Sequence, residues 1–195
     1  MKILLATNNQ NKTEEIKAMI NNLDIEIVSL KDIGDSDEVA ETGTTFSENA
    51  YLKAKHFYDK YKIPVIADDS GLVVPSLGDR PGVNSARFAG THGNDELNNQ
   101  KLLSEMRDNP NRDAYFNCTV CYIDKEVYYF DGQLHGKIAN DLFGSHGFGY
   151  DPLFILSDGK RLAEKPMQVK NQISHRAKAF KKWLEFMIEK RKNYE

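Results

Sequence analysis

Long apolar runs are missing from the start of this sequence. Its opening run, Met1-Lys2-Ile3-Leu4-Leu5-Ala6, gives way to polar Thr7-Asn8-Asn9 and is too short for a secretion signal or a membrane span. The expectation is a cytoplasmic protein with no membrane partner. An excess of positive charge is missing as well. Twenty-six Lys and Arg stand against 29 Asp and Glu, for a net charge of -3, so no global field exists to hold a nucleic-acid backbone. Cysteine is scarce. Cys118 and Cys121 have C-x-x-C spacing, but Ala114 to Tyr122 reads as a strand, where residues three apart face opposite ways. They are read as two reduced thiols packed separately. There is no G-K-[ST] with Walker glycines, no H-x-x-x-H spacing among His56, His92, His135 and His146, and no G-x-S-x-G elbow. These absences remove the Walker loop, a histidine metal centre and covalent acyl chemistry. No internal repeat, linker or low-complexity segment is visible.

What is there belongs to a folded protein. Hydrophobic residues make up 40% and charged residues 28% of 195 residues, enough to bury one core, so 1–195 is expected to form a single domain. Lys2 to Ala6 reads as a buried strand. A helix follows with Ile16, Met19, Ile20 and Leu23 on one face and an Asn11/Glu14 capping-box pattern at its start. Glu26 to Ser29 is a second strand. Thr45-x-x-Glu48 caps a helix carrying Phe46, Ala50, Ala54, Phe57 and Tyr61, which Pro64 ends. Val65-Ile66-Ala67 is a short strand that delivers Asp68-Asp69-Ser70-Gly71 at its carboxyl end. After a turn at Gly78 to Gly82 come a helix from about Asn94 to Arg107, on Leu97, Leu102, Leu103 and Met106, and two strands, Ala114 to Ile123 and Val127 to His135. The sheet is therefore mixed. Gly144 to Gly149 is a loop and Leu153 to Leu156 a short strand. The last helix starts near Ser174 on a stripe of Ala177, Phe180, Leu184, Met187 and Ile188. Glu189 to Glu195 reads as its solvated end.

Four places can carry chemistry. Thr7-Asn8-Asn9-Gln10-Asn11-Lys12 joins a strand to a helix start, so its amides, the helix dipole and Lys12 could receive a phosphate; a plain surface turn is the other reading. Asp68-Asp69 follows a buried strand and must be solvated, paired or bound to a hard cation. On extended backbone the two side chains diverge, so one can face a ligand while the other props the chain; the alternative is a turn cap with Ser70 and Gly71. Glu38 and Glu41 precede a helix, where they either complement its dipole or, for Glu41, ligate a metal. Lys53 follows on that helix, facing either the same cleft or solvent. Phe148 between Gly147 and Gly149 could stack on a base or plug the core. Lys170 and Ser174-His175-Arg176 put cationic groups in a first helical turn, against the dipole. They serve either a ligand or acidic neighbours.

Together these segments resemble the inosine triphosphate pyrophosphatase family, which removes deaminated purine nucleotides such as ITP, dITP and XTP. The resemblance spans almost the whole chain. It is carried by Thr7-x-Asn9-x-x-Lys12, Glu41-Thr42-Gly43-x-Thr45-Phe46-x-Glu48-Asn49-Ala50, Ala67 to Leu72, Pro81-Gly82-Val83-x-Ser85-Ala86-Arg87, Gly147 to Phe154 and Ser174-His175-Arg176. Asn84 and Lys165-Pro166 depart from the family's usual residues. The resemblance implies an α/β fold with an elongated central mixed sheet flanked by helices, two lobes around a deep nucleotide cleft, and a homodimer. It implies hydrolysis of a purine nucleoside triphosphate to the monophosphate and pyrophosphate with Mg2+. Thr7, Asn8, Asn9, Gln10, Asn11, Lys12, Lys53, Ser70, Phe148, Gly149, Tyr150, Asp151, Lys170, His175 and Arg176 would meet the nucleotide. Asp69 would accept the proton and share the metal with Glu41.

Overall fold

Alternation along three neighbouring strands decides how the first part of the protein is layered. A computed structural model describes residues 1–20 and 24–192. Strand β1 (Lys2–Leu5) pairs in parallel with β2 (Glu26–Ser29) and with the start of β3 (Val65–Val74), and β5 (Asp113–Asp124) neighbours β3. Ile3, Leu5, Ile66, Cys118, Val120 and Tyr122 enter one core, while Leu4, Ala6, Val65, Ala67, Cys121 and Ile123 enter another. Successive strand residues point to opposite faces, so each strand feeds both cores in turn. The first core is closed by α1 (Gln10–Met19) through Ile16, by Ile20 just past its end, and by α5 (His175–Lys192) through Ala179, Phe180, Trp183 and Met187. The second is closed by α2 (Phe46–Tyr61) through Ala50, Ala54 and Phe57. The two cysteines are free, buried and in different cores, as expected of separate thiols.

The remaining strands are β4 (Arg80–Pro81), β6 (Glu126–Ile138) and β7 (Phe154–Ile155), and the remaining helices α3 (Asp95–Glu105) and α4 (Met167–Ile173). The sheet order is β2-β1-β3-β5-β6-β7, with β4 on β3; β3 with β4 and β6 with β7 are antiparallel, so the sheet is mixed. The chain divides into two compact units. The first holds residues 1–69, 118–132 and 176–195, and the second 70–117 and 133–175. The second has its own core, in which Leu72, Val74, Leu102, Met106, Phe116, Phe154 and Leu162 are buried. Among the described residues no helix is long and apolar enough to cross a membrane.

Several local expectations are corrected. The cap of α1 is Asn9, whose side chain accepts from the Lys12 amide at 3.2 Å; Asn11 is already inside the helix, and Glu14 accepts from Gln10 instead. Leu23 lies outside the described residues. β3 runs for 10 residues, so Asp68-Asp69 sits within a strand and not at a turn. The pair nevertheless lies just beyond the carboxyl end of β1, whose last residue, Leu5, is in register with Ile66. Leu97 and Ile188, placed on apolar stripes, are exposed, while Trp183 supplies the bulk under α5. A separate helix, α4, precedes Ser174. Ser174 itself is extended (φ -65°, ψ 158°) and stops α4 directly before α5 begins.

Candidate active site

The alternation that builds the two cores also separates the acid pair. Asp68 continues the series Ile66, Asp68 toward α1 and α5. Its Oδ2 lies 3.0 Å from Lys12 Nζ, 3.6 Å from Arg176 Nε and 3.8 Å from Cys118 Sγ. Arg176 is buried and also ion-pairs with Glu15 of α1. Burial by itself would raise the Asp68 pKa, but Lys12, Arg176 and Lys53 outweigh it and hold the carboxyl well below the usual range. Asp68 is therefore a permanent anion inside a ring of cations.

Asp69 continues the other series and faces α2. Its Oδ2 accepts from Asn49 Nδ2 at 3.2 Å, and its Oδ1 lies 3.9 Å from Lys53 Nζ, which is 2.9 Å from Glu41 Oε1. Burial dominates here. It pushes the carboxyl up to about 6, with Glu41 adding to the rise and Lys53 and Lys12 opposing it. Lys53 itself stays charged: burial disfavours the ammonium, but Asp69, Asp68 and Glu41 raise its pKa. Asn49 also accepts the Gly43 amide at 2.8 Å, which fixes the orientation of its amide and ties the Glu41–Gly43 segment to Asp69. The Thr45/Glu48 capping box clamps the start of α2 beside it, with Glu48 accepting from the Thr44 and Thr45 amides.

At the start of α1, Thr7 Oγ1 accepts from the Asn9 amide at 3.1 Å, and Asn8 donates to the Asp37 carbonyl at 3.1 Å. Asn8, Asn9, Gln10 and Asn11 are exposed, and the first turn carries no acidic residue. That helix end keeps its positive dipole uncompensated toward solvent, with Lys12 behind it. Glu38 is exposed and stands apart from these contacts.

In the second unit Asp151 is the hub. Its Oδ2 lies 2.9 Å from Lys170 Nζ and accepts the Phe148 amide at 3.2 Å, and the Lys170 ammonium lies 4.5 Å from the Phe148 ring centroid. A Cβ on Gly147 would meet that same Oδ2 at 2.0 Å, and Gly147 has φ +77°, so a glycine is required there. Gly149 is held from both sides, its amide donating to Asp95 at 2.8 Å and its carbonyl accepting from Asn99 at 2.9 Å. Tyr150 turns inward, its hydroxyl donating to the Ser85 carbonyl at 2.6 Å. His175 is buried and stacks on Phe116 with centroids 4.9 Å apart. Ser70, next after Asp69 on β3, is half-buried.

Three knots thus emerge: Lys12 with Asp68 and Arg176; Asp69 with Lys53 and Glu41; and Phe148 with Asp151 and Lys170. Asn49 stands in a quoted motif without an assigned role, and Glu15, Asp95 and Asn99 lie outside the motifs. Helical spacing held a signal for two of them, since Glu15 is three residues from Lys12 and Asn49 four from Lys53, each pair on one helix face. Asp95 and Asn99 also share a face of α3, but only the folded chain brings them to Gly149.

By class this is a mixed α/β protein with a charged acid-lysine centre on the middle of its sheet. Residues 3–186 match the Ham1 family. A dITP/XTP pyrophosphatase of Geobacter sulfurreducens is 45% identical over 183 residues, covering 91% of this chain and 92% of that one. One from Clostridium tetani is 46% identical over 198 residues, covering 98% and 96%. The structure of the Staphylococcus aureus Ham1 protein matches with a TM-score of 0.89 at 37% identity, over 97% of this chain and 100% of that one. A HAM1 protein from Coxiella burnetii matches with a TM-score of 0.90 at 35% identity, over 97% and 99%. The chain belongs to the Ham1 family, and the family resemblance read from its motifs is borne out.

Proposed function

We propose that this protein hydrolyses deaminated purine nucleoside triphosphates, ITP, dITP and XTP, to the nucleoside monophosphate and pyrophosphate. The observation that carries the chemistry is the split between the two aspartates: Asp68 is fixed as an anion, while Asp69 is poised with a pKa of about 6. A general base works best when its pKa lies near the working pH, so Asp69 is the group that takes the proton from the attacking water. Asn49 fixes the carboxyl group by donating to its Oδ2, and the Lys53 ammonium lies 3.9 Å from its Oδ1. The start of α1, with Lys12, receives phosphate oxygens. Lys12 and Lys53 offset the charge that develops on the leaving pyrophosphate.

The residues fit a divalent metal. Glu41 and Asp69 already converge on one cation, the Lys53 ammonium, and both offer hard oxygen donors. Among the described residues no group of three or more His, Cys, Asp or Glu forms a cage, so most ligands would be phosphate oxygens and water, the habit of Mg2+. When bound, Mg2+ would supply charge neutralisation on the triphosphate.

We assign the base to the Phe148 ring, which can stack on a purine, and its 6-keto edge to the Lys170 ammonium, with Asp151 as the group that positions both. An ammonium has donors only. The 6-amino group of adenine would leave it unmatched, and sites built on such pairing reject the mismatch by roughly ten-thousandfold. Arg176, spent on Glu15 and Asp68, is a positioning residue in this reading, and Tyr150 anchors the loop. The family resemblance also supports a homodimer, which sedimentation would test, and a cytoplasmic location, which cell fractionation would test.

The test is to incubate the protein with Mg2+ and ITP, dITP, XTP, ATP, GTP or dTTP and measure pyrophosphate. Turnover of the first three, with ATP far slower, is expected. No turnover of any sinks the enzyme reading, and equal rates for ITP and ATP sink the assignment of the base.

A further inference from the structure

The second unit has a cavity of about 430 Å³ whose wall includes Arg112, Lys137, Asn140, Asp141, Ile155 and Arg161, none of them in the three knots above. Its volume is that of a small-molecule site. Strand pairing sets its pattern. Lys137 of β6 is in register with Ile155 of β7, and Ile155 forms an isolated antiparallel bridge to Arg161. Residues directly opposite on paired strands send their side chains to the same face. Lys137, Ile155 and Arg161 therefore make a transverse row, a cation on each side of an apolar centre, with about 10 Å between the outer backbones.

The charges in this row are poorly matched. Arg161 has a side chain only 14% exposed, yet its carboxylate partner, Asp141, is 76% exposed. Its Nε is buried with no hydrogen-bond partner among the described residues. Arg112 donates to the Met106, Ile138 and Ala139 carbonyls at 2.7 to 2.8 Å, acceptors that carry no net charge. Lys137 lies 3.9 Å from Asp113, but both side chains are about two-thirds exposed or more, so that pair neutralises little. Three cations thus border the cavity against one carboxylate within it.

We propose that this cavity binds a phosphate-class dianion, inorganic phosphate or the head of a phosphate monoester, between Arg161 and Lys137 over Ile155. The terminal guanidinium nitrogens of Arg161, which now face Asp141, and the Lys137 ammonium donate to its oxygens, Arg112 adds long-range charge, and Asp141 is displaced toward solvent. An ester's organic part would lie on Ile155.

Residue-resolved amide NMR of the full chain distinguishes this place from the start of α1, where the proposed function also places phosphate. Titration with inorganic phosphate, and separately with ribose 5-phosphate, is expected to shift the amides of Lys137, Asn140, Asp141 and Ile155 saturably; stronger binding of the ester would identify the monoester as the ligand. Arg161→Gln should weaken that response about tenfold or more, the scale of one charge-assisted contact, while the ligand-free amide shifts of the second unit away from position 161 stay in place and show the variant folded. Asp141→Asn removes the competing carboxylate and should tighten binding several-fold. Unsaturable shifts, equal affinity in Arg161→Gln, or affinity in Asp141→Asn no better than in the unmodified chain would overturn the proposal.

Discussion

Asp68 and Asp69 are bonded neighbours on β3, yet their carboxylates face opposite sides of the sheet and are driven in opposite directions. Asp68 meets Lys12 and Arg176 and is held well below the usual carboxylate range; Asp69 meets Asn49 and Lys53 and rises to about 6. One peptide bond separates a carboxylate fixed as an anion from a carboxyl poised to exchange its proton near pH 6. A charge buried without full compensation is a strain on the fold, and function is where such strain is tolerated.

Asp69→Asn should accordingly separate activity from stability. The amide cannot accept the proton, so pyrophosphate release should fall by at least a hundredfold, the lower reach of general-base catalysis. The same change removes a carboxylate that burial disfavours, so thermal unfolding at pH 7 should move upward, on the order of 5 °C. A lower melting temperature together with normal turnover would show that Asp69 is neither strained nor the base.

The pH dependence has a definite sign. Asp69 is raised from 3.8 to about 6 in the folded state, so its contribution to stability is complete below about pH 4 and is lost as pH rises through 6. That loss is ~3 kcal/mol. Asp68 acts oppositely, contributing above its ordinary pKa of 3.8 and losing this as pH falls below it. Urea unfolding between pH 4 and 7 should show the unmodified protein losing stability relative to Asp69→Asn across that range. With Asp69 in the proposed role of base, the rate should rise through pH 6 while stability falls.

Arg176→Gln tests whether Arg176 supports the site from within. It would leave Glu15 and Asp68 buried without their shared cation, and breaking such a buried pair costs about 3–5 kcal/mol. Denaturant unfolding at pH 7 should show that loss. An unchanged midpoint with weakened nucleotide binding would place Arg176 on the ligand instead.

Gly147→Ala addresses the second unit alone. Its Cβ would stand 2.0 Å from Asp151 Oδ2 at φ +77°, so Asp151 must move and release both the Phe148 amide and Lys170. The Michaelis constant should rise about tenfold or more, with kcat changed much less because Asp69 and its partners are untouched. A fall in kcat alone would assign the loop to the chemical step.

Much of this was legible because it is local. Period-two alternation in Val65 to Asp69 foretold that the acid pair would diverge, and the Thr45/Glu48 pattern located the start of α2 to the residue. The cap of α1 was misplaced because two asparagines compete within three residues. Local pattern favoured Asn11, but β1 ends early enough for Asn9 to take the cap. Partners across long separations left no local trace. Glu15 meets Arg176 over 161 positions and Gly149 meets Asp95 over 54, pairings that only the assembled sheet brings about. The length of β3 was underestimated for a related reason. Asp, Asp, Ser and Gly are poor strand formers, and only burial against neighbours keeps them extended.

The chain passes between its two units four times, at 69/70, 117/118, 132/133 and 175/176, three of them inside strands and two inside the motifs Asp69-Ser70 and His175-Arg176. Neither unit is a contiguous stretch of sequence. No single cut can release one intact, and no simple splice can transplant the Phe148 loop's unit onto another enzyme. Recombination between relatives would have to exchange the whole gene or individual side chains. A change in the base contacts proposed for the Phe148 loop is therefore a matter of point substitution, not of module swapping.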